Sequence, residues 1–141
     1  MDTTKENYYQ NLKDIFLSAT FSETLNIIGA EVEAGQATFY MEILPEKHMN
    51  TNQSLHGGVM ASLLDTASGM SVRSVLEESE TSATVNLSIN FLRPCFSGKL
   101  TAKGRVKSKG KKMATVEAEL YDEKNKLLAN SIGTFAILQK K

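Results

Sequence analysis

The chain has 141 residues, of which 41% are apolar and 23% charged, and its formal net charge is zero. That length supports a hydrophobic core in a single domain, 1–141, and the charge balance supplies no global field to attract nucleic acid or an anionic membrane, so neither partner is expected. One cysteine, Cys95, excludes an internal disulfide and offers no metal-ligand spacing, no stretch is apolar and long enough to span a bilayer, and Met1-Asp2-Thr3-Thr4-Lys5-Glu6 lacks the basic-then-apolar order of a leader, so a cytoplasmic protein is expected.

Residues 5–19 read as a helix with Tyr8, Leu12, Ile15 and Phe16 on one stripe. Residues 25–33 and 36–44 read as two strands joined through Ala34-Gly35-Gln36, with Pro45 ending the pair and 46–55 as a polar loop. In that loop His48 is expected at the surface.

Residues 57–77 read as a central helix. Met60, Leu63, Leu64, Ala67 and Met70 recur at helical spacing, yet the opposite face carries small residues rather than charges, the pattern of a helix covered on most sides. Between Lys47 and Arg73 the only formal charge is the carboxylate of Asp65. A lone acid in the least polar part of a chain is costly unless it is paired or has a task, so Asp65 points to acid–base chemistry in a sheltered site. Arg73, Glu77 and Glu78 bring the C-terminal end of the helix back to water.

Strands follow. In 84–92 the odd positions Val85, Leu87, Ile89 and Phe91 are apolar and the even ones polar, which predicts one face on a core. In 99–109 Lys99, Lys103, Arg105, Lys107 and Lys109 occupy odd positions; in 113–121 the even positions Ala114, Val116, Ala118 and Leu120 are apolar. Gly110 and Asp122-Glu123-Lys124-Asn125 mark turns, and 126–138 is a long last strand. Antiparallel neighbours around one long helix predict an α+β fold in which a sheet wraps the helix.

The element order and the string Asn50…His56-Gly57-Gly58…Asp65 resemble the hotdog-fold acyl-CoA thioesterases of the phenylacetate-degradation (PaaI-like) type. The resemblance runs over roughly 24–138 and includes Thr84 at the strand after the helix, Phe91-Leu92-Arg93-Pro94 and the Gly110-Lys111 turn. One departure is Gln53, where that family often has glycine three residues before the His. The resemblance implies hydrolysis of a medium-sized aromatic or aliphatic acyl-CoA by a homo-oligomer, a dimer at least and plausibly a tetramer. No metal or prosthetic group is implied; coenzyme A enters only as part of the substrate. A non-catalytic acyl-CoA or small-ligand binder and an acyl-CoA dehydratase or hydratase are the alternatives.

The residues suit thioester hydrolysis. Gly57 and Gly58 open the helix, where backbone N–H groups are free and the dipole is positive; Gly57 N–H is the candidate oxyanion donor, and Gly58 lets substrate approach. Asn50 can offer its side-chain amide to the same carbonyl. Asp65 acts as general base or nucleophile, Thr84 holds the water or the carboxylate, and His56 orients the loop or touches the thioester. Arg93, Lys109, Lys111 and Lys112 are candidates for the coenzyme A phosphates, whereas Lys103 and Arg105 are expected to pair with Glu117 and Glu119 across the sheet. Helix small and apolar residues, with Tyr8, Tyr9 and Phe16, are expected to line the acyl pocket. Cys95 is expected to pack rather than react.

Spacing adds a constraint. Gly57 and Asp65 are eight residues apart on one helix, about 12 Å at ~1.5 Å per residue, whereas groups acting on one carbonyl converge to within roughly 3 Å of it. One chain cannot easily supply both, but a two-fold pair of chains can.

Overall fold

The computed structural model describes residues 3–141; the first two residues of the N-terminal segment weighed above as a leader lie outside it. Ten elements follow in chain order: α1 Thr3–Ser18, α2 Thr20–Thr24, β1 Ile27–Glu33, β2 Gln36–Glu42, α3 Pro45–His48, α4 Gly57–Arg73, β3 Glu80–Phe91, β4 Lys99–Lys109, β5 Met113–Tyr121 and β6 Leu127–Gln139. The strands form one antiparallel six-stranded sheet in the order β1-β2-β4-β5-β6-β3. This sheet wraps α4, the hotdog arrangement. Even positions of β5 and odd positions of β6 turn toward the helix: Ala114, Val116, Ala118 and Leu120, then Ala129, Ser131, Phe135 and Ile137, are buried. Met60, Leu63, Leu64, Ala67 and Met70 of α4 meet them as expected. Their removal from water is the main force holding sheet and helix together.

Helix and sheet approach each other closely at Gly104 of β4, where an added Cβ would stand 2.5 Å from the Ala67 carbonyl oxygen. Only a residue without a side chain lets α4 lie that deep in the sheet.

Several sequence expectations are corrected. The 5–19 helix breaks at Ala19, and the short α2 follows. Leu12 is buried and Tyr8 and Phe16 are half-buried, but Ile15 is exposed, so the covered stripe of α1 runs at intervals of four. Pro45 does not simply end β2: it opens α3 at its first turn, where its missing N–H costs nothing. Helix α4 stops at Arg73 rather than 77. His48, expected at the surface, is 2% exposed.

The largest correction concerns β3. It starts at Glu80, lies at an edge of the sheet, and carries a bulge. Thr84 pairs with Phe135 and Asn86 with Thr134, leaving Val85 as the extra residue. A bulge of this kind changes which side chains share a face. Before it, Ser82 and Thr84 are turned toward α4; after it, Ile89 packs on the core and Phe91 lies against Gly57. Val85 itself is exposed, against the expectation of a core position. A regular strand would have put Thr84 on the other face.

Candidate active site

Of the residues singled out by the sequence, Asn50, Gly57 and Arg93 line one cleft and Asp65 and Thr84 another, with no lining residue in common, whereas His56, Gly58 and the hairpin lysines line neither. The first, of about 290 Å³, is lined by Asn50, Leu55, Gly57, Met60 and the run Phe91-Leu92-Arg93-Pro94. The second, of about 300 Å³, holds Asp65 and Thr84 with Thr66, Gly69 and Arg73 of α4, Phe16, Ala19, Phe21 and Ser22 of the N-terminal helices, and Phe135.

The first cleft is built on the N-terminus of α4. His56 is its N-cap, in extended conformation, and its Nδ1 accepts the N–H of Gly58 at 2.8 Å. With Nδ1 accepting, the neutral ring carries its proton on Nε2. Gly58 therefore serves the cap: its amide is taken, and a Cβ there would stand 2.9 Å from His56 Nδ1. The next amide back, Gly57 N–H, has no hydrogen-bond partner among the described residues. It is left pointing out of the first turn, as helix-terminal N–H groups are.

The loop before it is held from within. Asn50 Oδ1 accepts from the backbone N–H of Asn52 at 2.9 Å and of Ser54 at 3.1 Å, and its Nδ2 donates to Ser54 Oγ at 2.9 Å. One amide hydrogen of Asn50 is thus committed to the loop, leaving the other for a ligand. Gln53, which replaces the glycine of the resembled pattern, sits at φ +60°. The left-handed turn is kept although the residue that relaxes it is not.

His48 anchors this loop from below. Its Nδ1 accepts the Leu44 N–H at 2.9 Å, and its Nε2 donates to the Thr24 carbonyl at 2.9 Å. Its own carbonyl accepts the His56 N–H at 2.8 Å. A buried imidazole thereby joins α2, the end of β2 and the start of α4, a role that nothing in a polar stretch of sequence announces.

In the second cleft, Thr84 Oγ1 donates to Asp65 Oδ1 at 2.7 Å. Asp65 is half-buried and makes no ion pair among the described residues. Its second carboxylate oxygen makes no hydrogen bond among the described residues. Of the three N-terminal aromatics expected in the pocket, Phe16 lines it, whereas Tyr8 bonds elsewhere, donating to the Arg73 carbonyl at 2.6 Å; Tyr9 is not part of the lining. Burial pushes the Tyr8 phenol above its ordinary pKa. Phe21, Gly69, Arg73 and Phe135 were not singled out; the signal for Gly69 and Arg73 was their spacing from Asp65 at intervals of four along the helix.

The basic candidates separate. Arg93 lies in the first cleft, while Lys109, Lys111 and Lys112 sit exposed at the β4–β5 hairpin, beside the far end of β6. Arg105 and Lys107 contact Glu117 at 3.2 and 3.6 Å. Lys103 faces Glu119 in register, with its ammonium 5.6 Å from the Tyr121 ring centre. Cys95 is buried, and burial pushes its thiol pKa up, the opposite of an activated nucleophile.

A family profile described as the thioesterase superfamily matches residues 52–129, the span holding His56, Gly57, Asp65 and Thr84. The chain belongs to the thioesterase superfamily. That membership places it among the thioester hydrolases. Among sequence relatives, the acyl-coenzyme A thioesterase PaaI of Escherichia coli is 30% identical over 86% of this chain and 84% of its own length. The medium/long-chain acyl-CoA thioesterase YigI of the same species is 31% identical over 78% of this chain and 82% of its own. Among solved structures, the E. coli PaaI protein superposes with a TM-score of 0.80 at 27% identity, covering 94% of this thioesterase-superfamily chain and 93% of its own. A thioesterase of Haemophilus influenzae reaches 0.83 at 26% identity, covering 93% and 90%. No helix of the described residues is long and apolar enough to cross a membrane.

Proposed function

We propose that this protein hydrolyses the thioester of a medium-sized acyl-CoA at a site shared between two copies of the chain. The observation that carries the reading is the division of labour between the two clefts. One offers a free amide, Gly57 N–H, and the other a free carboxylate oxygen, Asp65, and about 12 Å of unbroken helix lies between them. A two-fold partner sets the Asp65 cleft of one copy against the Gly57 cleft of the other, with the small residues Ala61 and Ser62 allowing close approach. A dimer is then the minimal unit, and a tetramer is two such units.

In the shared site Gly57 N–H and the remaining amide hydrogen of Asn50 hold the thioester carbonyl oxygen. Asp65, fixed by Thr84, removes a proton from water as the hydroxide adds to the carbonyl carbon. The tetrahedral oxyanion collapses, the C–S bond breaks, and the coenzyme A thiolate takes up the proton. Direct attack by Asp65 would instead form a mixed anhydride, which single-turnover incorporation of oxygen-18 into Asp65 reveals. Arg93, which lines the first cleft, receives a coenzyme A phosphate in this reading. A hydratase would call for a histidine beside the acid. The shared site would bring His56, next to Gly57, toward the acid, with its Nδ1 already taken by the Gly58 N–H, while both ring nitrogens of His48 are occupied.

Mixed dimers test the shared site. Asp65→Asn removes the base. Gly57→Pro removes the amide at a position where proline is favoured, after a residue whose ψ of 133° already suits it. Each variant alone should release no free thiol from an acyl-CoA panel. Co-assembled, they should recover activity, because one composite site is intact; persistent inactivity of verified mixed dimers overturns the shared site.

A further inference from the structure

Asp65, Gly69 and Arg73 stack on one face of α4 and all line the second cleft. Gly69 leaves the space between acid and cation open, with the Phe135 ring 3.6 Å from where a Cβ would stand. Phe16 and Phe21 supply apolar wall from the N-terminal helices. Arg73 itself is half-buried and makes no ion pair among the described residues, the pairs that form being Arg105 and Lys107 with Glu117. Its backbone is fixed, because Tyr8 donates to its carbonyl. A cation near a helix C-terminus is favourable wherever it points, but that does not explain a guanidinium at the end of an aromatic-walled cleft whose other end carries the reactive acid.

We propose that Arg73 determines acyl specificity by receiving a carboxylate at the far end of the acyl chain, so that the preferred substrates are ω-carboxyacyl thioesters of medium length. This rests on the thioesterase reading above. A guanidinium matches a carboxylate with two parallel hydrogen bonds, and the Phe16 and Phe135 rings line the cleft that would hold the pair. The Asp65 carboxylate repels the same group, so only one orientation places the thioester at Asp65. Asp65 and Arg73 are separated by about 12 Å along the helix, and the Arg73 side chain leans back toward Asp65, so a chain of roughly six to eight carbons spans the gap.

The test compares octanoyl-CoA with suberoyl-CoA, its counterpart ending in a carboxylate, on the full-length protein and on Arg73→Leu and Arg73→Lys. The readout is the ratio of kcat/KM for the two substrates, together with the ratio of Kd for their non-hydrolysable thioether analogues. The wild type should favour the carboxylate chain. Arg73→Leu should lower the suberoyl-to-octanoyl ratio of kcat/KM and raise the corresponding ratio of Kd, each at least tenfold, the scale of one charge-assisted hydrogen bond, and Arg73→Lys should keep much of the preference. Unchanged ratios in Arg73→Leu overturn the proposal. Absence of thiol release from either substrate counts instead against the thioesterase reading, and the Kd ratio then still decides the role of Arg73.

Discussion

Thr84 reaches Asp65 across a distance of 2.7 Å because β3 carries one residue too many at Val85. The hydroxyl donates to one carboxylate oxygen and leaves the other to the cleft. Thr84→Val should therefore misorient the acid without removing it. A hydrogen bond to a charged group contributes ~1.5–3 kcal/mol, which corresponds to roughly 10–100-fold in rate. Steady-state assays should show that loss in kcat, with Thr84→Ser largely restoring it.

The His56 cap predicts a stability effect separable from catalysis. His56→Ala frees the Gly58 N–H and should lower stability by about 1 kcal/mol, as lost N-caps do. Gly58→Ala should do the same by a different route, since its Cβ would press on the His56 ring at 2.9 Å. Urea denaturation of the two single variants and the double variant should show the second change costing much less once the ring is gone.

His48 carries a larger load. His48→Ala leaves a Leu44 N–H and the Thr24 carbonyl without partners in a buried setting. Each unmet group costs about 1–3 kcal/mol, so a loss of roughly 2–6 kcal/mol in unfolding free energy is expected from urea denaturation.

Gly104→Ala should be among the most damaging single-methyl changes in the chain. The new Cβ would sit 2.5 Å from backbone, at the Ala67 carbonyl, so α4 must lift off the sheet. Overpacking of this kind costs about 1–3 kcal/mol. Calorimetry should show a lowered Tm, and amide exchange should show faster opening of α4.

Gln53→Gly should stabilise the protein. Glutamine at φ +60° bears a left-handed strain of about 1–2 kcal/mol, from which the extra unfolded-state freedom of glycine removes about 0.5–1 kcal/mol. A net gain of up to about 1 kcal/mol should appear in chemical denaturation.

The α+β architecture was legible because α4, β4 and β5 each carry an unbroken period. Met60, Leu63, Leu64, Ala67 and Met70 mark a helix face, and Ala114, Val116, Ala118 and Leu120 a strand face, with no exception to dilute either. Helix α3 was not legible, since four residues give no repeat to read. The bulge in β3 was invisible for a related reason: strict alternation from Thr84 to Phe91 looks like a regular strand, and only the partner strand reveals that Val85 has no counterpart. His48 was misplaced because polar neighbours say nothing about a hydrogen-bonded interior position. Asp65, by contrast, stood out through the scarcity of charge around it. Its neighbour Arg73 did not, because a cation at the end of a helix already had an ordinary explanation.

The surplus residue in β3 also limits how this strand can change. Deleting Val85 would leave Thr84 opposite Phe135 and, four places before Ile89, on the inner face of a then regular strand, whereas straightening the bulge without shortening the strand would turn the threonine hydroxyl to the outer surface. The threonine keeps its place only while the strand holds its surplus residue as a bulge or lacks it altogether, so a register slip that absorbed it would silence chemistry while sparing the fold.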